Sequence, residues 1–252
     1  MRIRVIPSLL IHKGGLVKSV QFKNYKYIGD PINAVKIFNE KEVDEIVVLD
    51  IDASRENRPP NFDAIAEIAG EAFMPMAYGG GITTLEEIKK ILHSGFEKVI
   101  LNKTLHTNLQ LITQAANLVG SQSVVASIDV KKGFLGSYKV YTDNGKNSTK
   151  FSPVEFAKRV ESAGAGEIVL NNIGADGTYK GYDAALIKEI ASALQIPLVV
   201  MGGAGSLTDF YKAKQAGASA VAAGSMFVFQ RPHQAVLISY PTQKELKEQV
   251  FK

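Results

Sequence analysis

No cysteine occurs among the 252 residues, which excludes disulfides, thiolate metal sites and cysteine nucleophiles. The histidines, His12, His93, His106 and His233, are scattered without ligand spacing, so neither a metal nor a metal cofactor is expected. No apolar run approaches the ~20 residues of a membrane helix, and Arg2-Ile3-Arg4 leads into a strand-like segment with no signal-peptide core or cleavage site. A cytoplasmic chain that engages no membrane is the expectation. Basic blocks are absent as well. The net charge is +4 with a pI of about 9.0, yet Lys and Arg interleave with Asp and Glu without an aromatic-spaced stripe. This suits a small anionic substrate and speaks against nucleic acid. No linker or low-complexity segment interrupts the sequence, so one domain spanning residues 1–252 is expected. With 46% hydrophobic and 21% charged residues the composition is that of a globular protein, neither disordered nor a coiled coil.

What is present is an alternation of strand-length apolar runs with amphipathic helical stretches, the pattern of a parallel sheet with helical crossovers. Strands are expected at Arg4–Ile11, Glu45–Asp52, Met74–Tyr78, Lys98–Asn102, Ser123–Val130, Glu167–Asn172, Pro197–Met201 and Ala220–Ala223. Helices are expected near Pro31–Glu42, Phe62–Ala72, Leu85–Ser94, Asn108–Leu118, Pro153–Ser162, Ala184–Leu194, Leu207–Gln215 and Gln243–Phe251. Pro31 and Pro153 fall in first turns behind the N-cap residues Asp30 and Ser152. Eight such units predict a single-domain α/β fold, the (βα)8 or TIM barrel. An internal repeat strengthens this. An offset of 122 carries Gly80-Gly81 onto Gly202-Gly203, Gly95 onto Gly217, Asn102-Lys103 onto Gly224-Ser225, and Asp30-Pro31 onto Ser152-Pro153. At the first strand of each half the offset is 119, which sets Ser8 against Ser127 and Leu10 against Asp129. Two similar half-barrels follow.

In such a barrel the loops at the carboxyl ends of the strands build the site. Gly79-Gly80-Gly81 with Asn102-Lys103-Thr104 forms one candidate phosphate cradle; Gly202-Gly203-Ala204-Gly205, Gly224-Ser225 and Asp176-Gly177-Thr178 form its counterpart. Each glycine cluster alone is ordinary turn chemistry. Paired by the repeat, the two suggest an elongated substrate with a phosphate at each end. Asp129, at the end of a buried strand, is the clearest candidate for proton transfer. Asp50 and Asp52 should point to one face by strand alternation, one of them at least ordering the site, with a catalytic role for Asp50 and a supporting one both open, and Asp176 is either a third acid or a turn cap. At the other end, Arg4, Glu45, Lys98 and Glu167 stand at the amino ends of four strands as a ring of alternating charge, in the ordinary reading a salt-bridge lid that seals the core.

The combination Val5-Ile6-Pro7, Gly29-Asp30-Pro31, Leu49-Asp50-Ile51, Gly79-Gly80-Gly81-Ile82, Gly120-Ser121-Gln122, Ser127-Ile128-Asp129-Val130-Lys131, Gly164-Ala165-Gly166-Glu167-Ile168, Asp176-Gly177-Thr178 and Gly181-Tyr182-Asp183 resembles the cyclase subunit of imidazole glycerol phosphate synthase over about residues 2 to 230. The resemblance implies a lyase whose barrel receives ammonia from a glutaminase subunit docked at its bottom. There the ammonia meets a bisphosphorylated ribosyl aminoimidazole intermediate. It also implies phosphate binding at Gly81, Asn102, Gly177, Gly203, Gly224 and Ser225, with Gly80, Lys103 and Gly202 beside them, a gate of Arg4, Glu45, Lys98 and Glu167, and a lysine on a mobile first loop, here Lys18.

One departure stands out. The family uses two aspartates, at the ends of strands 1 and 5; Asp129 matches the second, and Leu10 occupies the first. Losing one of an acid and base pair removes ~10²–10⁴ in rate. His12 could replace the missing acid only if the strand continues through it. Together with the divergent carboxyl end, Phe227 to Pro241, Leu10 resembles a branch associated with bacterial surface-sugar clusters. That branch implies amidination of a sugar, with a glutaminase and a sugar-amidating synthetase as partners and a nucleotide sugar among the candidate small molecules. Histidine-pathway cyclisation and an inactive scaffold barrel are the alternatives.

Overall fold

The computed structural model describes residues 2–133 and 136–252. Among them, eight parallel strands close into a ring: β1 (Arg4–His12), β2 (Ile46–Asp50), β3 (Met76–Gly79), β4 (Lys98–Leu101), β5 (Val124–Lys132), β6 (Glu167–Asn172), β7 (Leu198–Met201) and β8 (Ala220–Ala223). Each pairs in parallel with the next, and β8 returns to β1 with Arg4 opposite Ala220. The helices α1 (Pro31–Glu40), α2 (Phe62–Glu71), α3 (Leu85–His93), α4 (Gln110–Val119), α5 (Pro153–Ser162), α6 (Ala184–Ala191), α7 (Leu207–Gln215) and α8 (Gln243–Gln249) complete the (βα)8 barrel. The expected strands and helices all occur, with ends that coincide or differ by at most three residues. Local chemistry explains several boundaries. Asp30 and Ser152 accept from the backbone N–H three residues on, with Pro31 and Pro153 at N1, and Thr84 and Ser206, 122 apart, both head capping boxes.

A strand turns successive side chains to opposite faces, and this alternation layers the barrel. Outward residues such as Val5, Leu9, Val48, Tyr78 and Leu170 pack against the helices in the main core. Inward, Ile6, Val47, Ala77, Ile100, Val125, Val169, Val199, Ala220 and Ala222 form a separate apolar layer that fills the barrel's waist.

Two excursions of the barrel sheet lie outside the expected pattern. β1 runs on through His12 and folds back into the antiparallel strands Gly15–Val20 and Lys23–Gly29. β5 likewise folds back into Tyr138–Thr142 and Asn147–Ser148. The half-barrel symmetry therefore extends to the structures over the mouth: Val17 pairs with Leu10, and Tyr141 with Asp129. The first loop, expected to be mobile, is here a hairpin anchored by Gln21, whose backbone N–H donates to the Asp176 carbonyl and whose amide donates to that of Gly174.

The repeat is enforced by close approach. A Cβ on Gly80 (φ +129°) would strike the carbonyl oxygen of Asp50, and one on Gly202 (φ +92°) that of Asn172, the residue 122 further on. By contrast, Gly70 lies inside α2 with open space around it. Gly80→Ala should therefore destabilise the fold by about 1–3 kcal/mol, whereas Gly70→Ala should stabilise it by up to about 1 kcal/mol. Thermal unfolding of the two variants checks the opposite signs.

Candidate functional site

The inward positions above the apolar layer line a cavity of about 570 Å³ at the carboxyl ends of the strands. Ser8 and Leu10 come from β1, Leu49 from β2, Gly79 from β3, Ser127 and Asp129 from β5, Asn171 from β6 and Met201 from β7. Leu10 and Asp129 thus occupy equivalent places on the first strand of each half.

Asp129 is buried and accepts from Asn171 Nδ2 at 2.9 Å and Asn102 Nδ2 at 3.2 Å. Burial pushes its carboxyl up to about 6; the two amides pull it down, and the nearby Asp176 adds to the rise. Asp176 is itself raised by burial, against the pull of Lys18, Ser19 and the Phe22 backbone. Lys18, carried on the first hairpin, reaches into the cavity, where its Nζ donates to the Ser8 carbonyl. Burial lowers this amine to about 8, opposed by Asp176. A carboxyl raised toward neutrality, a second buried acid and a desolvated amine therefore share the cavity.

Around them stand the glycine loops. Gly80, Gly81, Asn102 and Lys103 line one side, and Gly177, Gly202, Gly203, Gly224 and Ser225 the other. Lys103 spans the rim, with its Nζ near the Ser54 carbonyl (3.3 Å), Asn57 (3.4 Å) and Asp143 (3.6 Å). Gly224 packs directly against the Lys18 side chain, which brings the buried amine to the second cradle.

Three expectations need correction. Asp50 and Asp52 do not share a face, because the strand ends at Asp50 and the chain turns. Asp50 accepts from the backbone N–H groups of Asp52 and Ala53 and pairs with Arg58 through both oxygens, so it orders the turn beside the first cradle and has little free for chemistry. Asp52 lies away from the cavity, bonded to the Lys13 N–H and to His12 Nδ1 at 2.8 Å. Although β1 does continue through His12, that ring faces Asp52 and stacks on Tyr25, so it does not stand in for the missing acid. The amide of Asn102 is turned inward to Asp129 and the Ser127 carbonyl, so its donors serve the carboxylate and not the cradle. Asn171 escaped the sequence reading; an amide in a buried strand at the same inward parity as Glu167 was the available signal.

At the barrel's bottom the ring is closed. Arg4 contacts both Glu45 and Glu167, and Lys98 Nζ lies 3.1 Å from each. The two glutamates are 3% and 6% exposed. Burial works against the Arg4 charge, but the two carboxylates outweigh it and hold the guanidinium above its usual range. No cluster among the described residues could hold a metal ion, and no described helix is long and apolar enough to cross a membrane.

A barrel of two half-repeats, with a polar mouth and a charged floor, is the class that fold and cavity define. The family described as "Histidine biosynthesis protein" matches residues 4–232, and the chain belongs to it. A Pseudomonas aeruginosa protein provisionally named imidazole glycerol phosphate synthase subunit hisF2 is 55% identical over 247 residues, 98% of each chain. A Leptospira interrogans protein, provisionally the HisF subunit of that synthase, is 47% identical over 253 residues, covering 100% of this chain and 99% of its own. The imidazole glycerol phosphate synthase subunit HisF of Thermococcus onnurineus is 44% identical over 225 residues, 89% of this chain and 88% of that one. Within the family, the chain is of the HisF type.

The raised Asp129 carboxyl makes a signed prediction. The folded chain holds this proton more tightly than the unfolded chain does, so the group favours the fold at pH 4 and withdraws that contribution as the pH rises through about 6. Asp176→Asn should move the Asp129 titration downward, since it removes a like charge, and carbon NMR of the carboxyl reads the direction.

Proposed function

We propose that this chain is the synthase barrel of a cytoplasmic glutamine amidotransferase complex whose chemistry has diverged from imidazole ring closure toward amidination of a bacterial surface sugar. A glutaminase docks over the ring of Arg4, Glu45, Lys98 and Glu167. Without cysteine, the barrel has no thiol nucleophile of its own for releasing ammonia from glutamine. Ammonia passes the ring and the apolar layer and reaches a phosphorylated substrate, bisphosphorylated or a nucleotide sugar, held between the two cradles. Gly80, Gly81 and Lys103 take one phosphate; Gly177, Gly202, Gly203, Gly224, Ser225 and Lys18 take the other. Asp129 moves the proton, assisted by Asp176, and Asn102 and Asn171 orient it.

The observation that carries the divergence is Leu10. It lines the same cavity as Asp129, at the equivalent place on the other half-barrel, and it cannot carry a proton. The second reading, ring closure in histidine synthesis, is favoured by the identity with HisF subunits such as that of Thermococcus onnurineus and by cradles built on both halves.

Turnover of the bisphosphorylated ribosyl aminoimidazole intermediate with ammonium salts separates the two. The unaltered chain should react very slowly, and not at all with glutamine in place of ammonia. Leu10→Asp should raise the rate ~10-fold or more, above ~1.4 kcal/mol in barrier, and Asp129→Asn should abolish it. Turnover by the unaltered chain at ordinary enzyme rates contradicts the divergence.

A further inference from the structure

Asn171 stands on β6 two residues above Val169 of the apolar layer and four above Glu167 of the charged ring. Its side chain is 5% exposed and lines the cavity. The amide Nδ2 donates to Asp129 Oδ1 at 2.9 Å. A carboxylate oxygen only accepts, so the amide nitrogen must face Asp129 and the amide oxygen must face elsewhere. That oxygen is buried and has no hydrogen-bond partner among the described residues. The other such group, the Tyr78 hydroxyl, lies outside the cavity on the outward face of β3.

We infer that the Asn171 amide oxygen receives an N–H of ammonia as it leaves the apolar layer, which makes Asn171 a catalytic residue of nitrogen transfer. The inference rests on the ammonia-transfer reading above. A buried acceptor calls for a donor, and phosphate groups on a substrate are acceptors themselves. Ammonia has N–H groups to give. Held by one of them, it keeps its lone pair free to add to a carbonyl carbon of the substrate, whose C=O π pair moves onto oxygen as the C–N bond forms, while the ionised Asp129 carboxylate beside it takes up the proton that nitrogen gives up. Position points the same way: in the inward column of β6, Asn171 is the first polar side chain above the apolar layer.

Two replacements isosteric with each other test this. Threonine carries a hydroxyl that can donate to Asp129 and accept from ammonia, and valine has the same shape without it. With ammonium salts and the ribosyl aminoimidazole substrate, Asn171→Thr should keep the KM for ammonia near that of the unaltered chain. Asn171→Val should raise it ~10-fold relative to Asn171→Thr, as expected for one lost hydrogen bond, while the KM for the phosphorylated substrate stays unchanged. Equal ammonia KM values in the two variants, or a change confined to kcat, overturn the inference and leave the ammonia reading standing. Slow turnover by the unaltered chain that does not rise with ammonia concentration overturns the reading itself, and the inference with it.

Discussion

Side-chain alternation along closed parallel strands is the constraint on which the rest of this molecule depends. On β1 it sends Arg4, Ile6, Ser8 and Leu10 inward; on β5, Val125, Ser127 and Asp129; on β6, Glu167, Val169 and Asn171. Stacked around the barrel, these columns make three layers: a charged floor, an apolar waist and a polar mouth. A slip of one residue in any strand would exchange its inward and outward sets, turning Asp129 toward the helices and Ile128 into the cavity. The carbonyls of Asp50 and Asn172 pressed against Gly80 and Gly202 help hold the register where the two halves meet the mouth.

The floor and the mouth use charge differently. Glu45 and Glu167 are buried but shared between Arg4 and Lys98, so the ring satisfies itself. Breaking one member would leave a buried charge unpaired, which is far more costly than the ring's net contribution to stability. At the mouth the groups are left unbalanced. Asp129 has amide donors but no cation within salt-bridge distance among the described residues, and Lys18 has only a backbone carbonyl as its close partner. Burial therefore moves both toward neutrality, Asp129 to about 6 and Lys18 to about 8, where each can exchange a proton near neutral pH. Leu10 removes from this arrangement the partner that symmetry would supply.

Much of this was legible in the sequence because it rests on period and repeat. Apolar runs located the barrel strands, the 122 offset located both glycine loops at the mouth, and the charges at the strand starts located the floor. Residues whose roles depend on where a strand stops were harder. Alternation alone put Asp50 and Asp52 together, but the chain leaves the sheet at Asp50 and turns Asp52 toward His12. The hairpins after β1 and β5 were missed because their returning strands are partly exposed and mix polar with apolar residues, as Lys23–Gly29 shows. An amide's orientation is set by its neighbours and not by its own identity. The inward turn of Asn102 and the unpaired oxygen of Asn171 therefore emerge only from three-dimensional contacts.

The proposed function depends on the mouth acting as a two-ended anion clamp around a single proton carrier, Asp129. Crystals soaked in saturating inorganic phosphate test it most directly. Phosphate is expected at two positions, one against Gly81 and Lys103 and the other against Gly177, Gly203, Gly224 and Ser225 beside Lys18. Neither position occupied at saturating anion would contradict it.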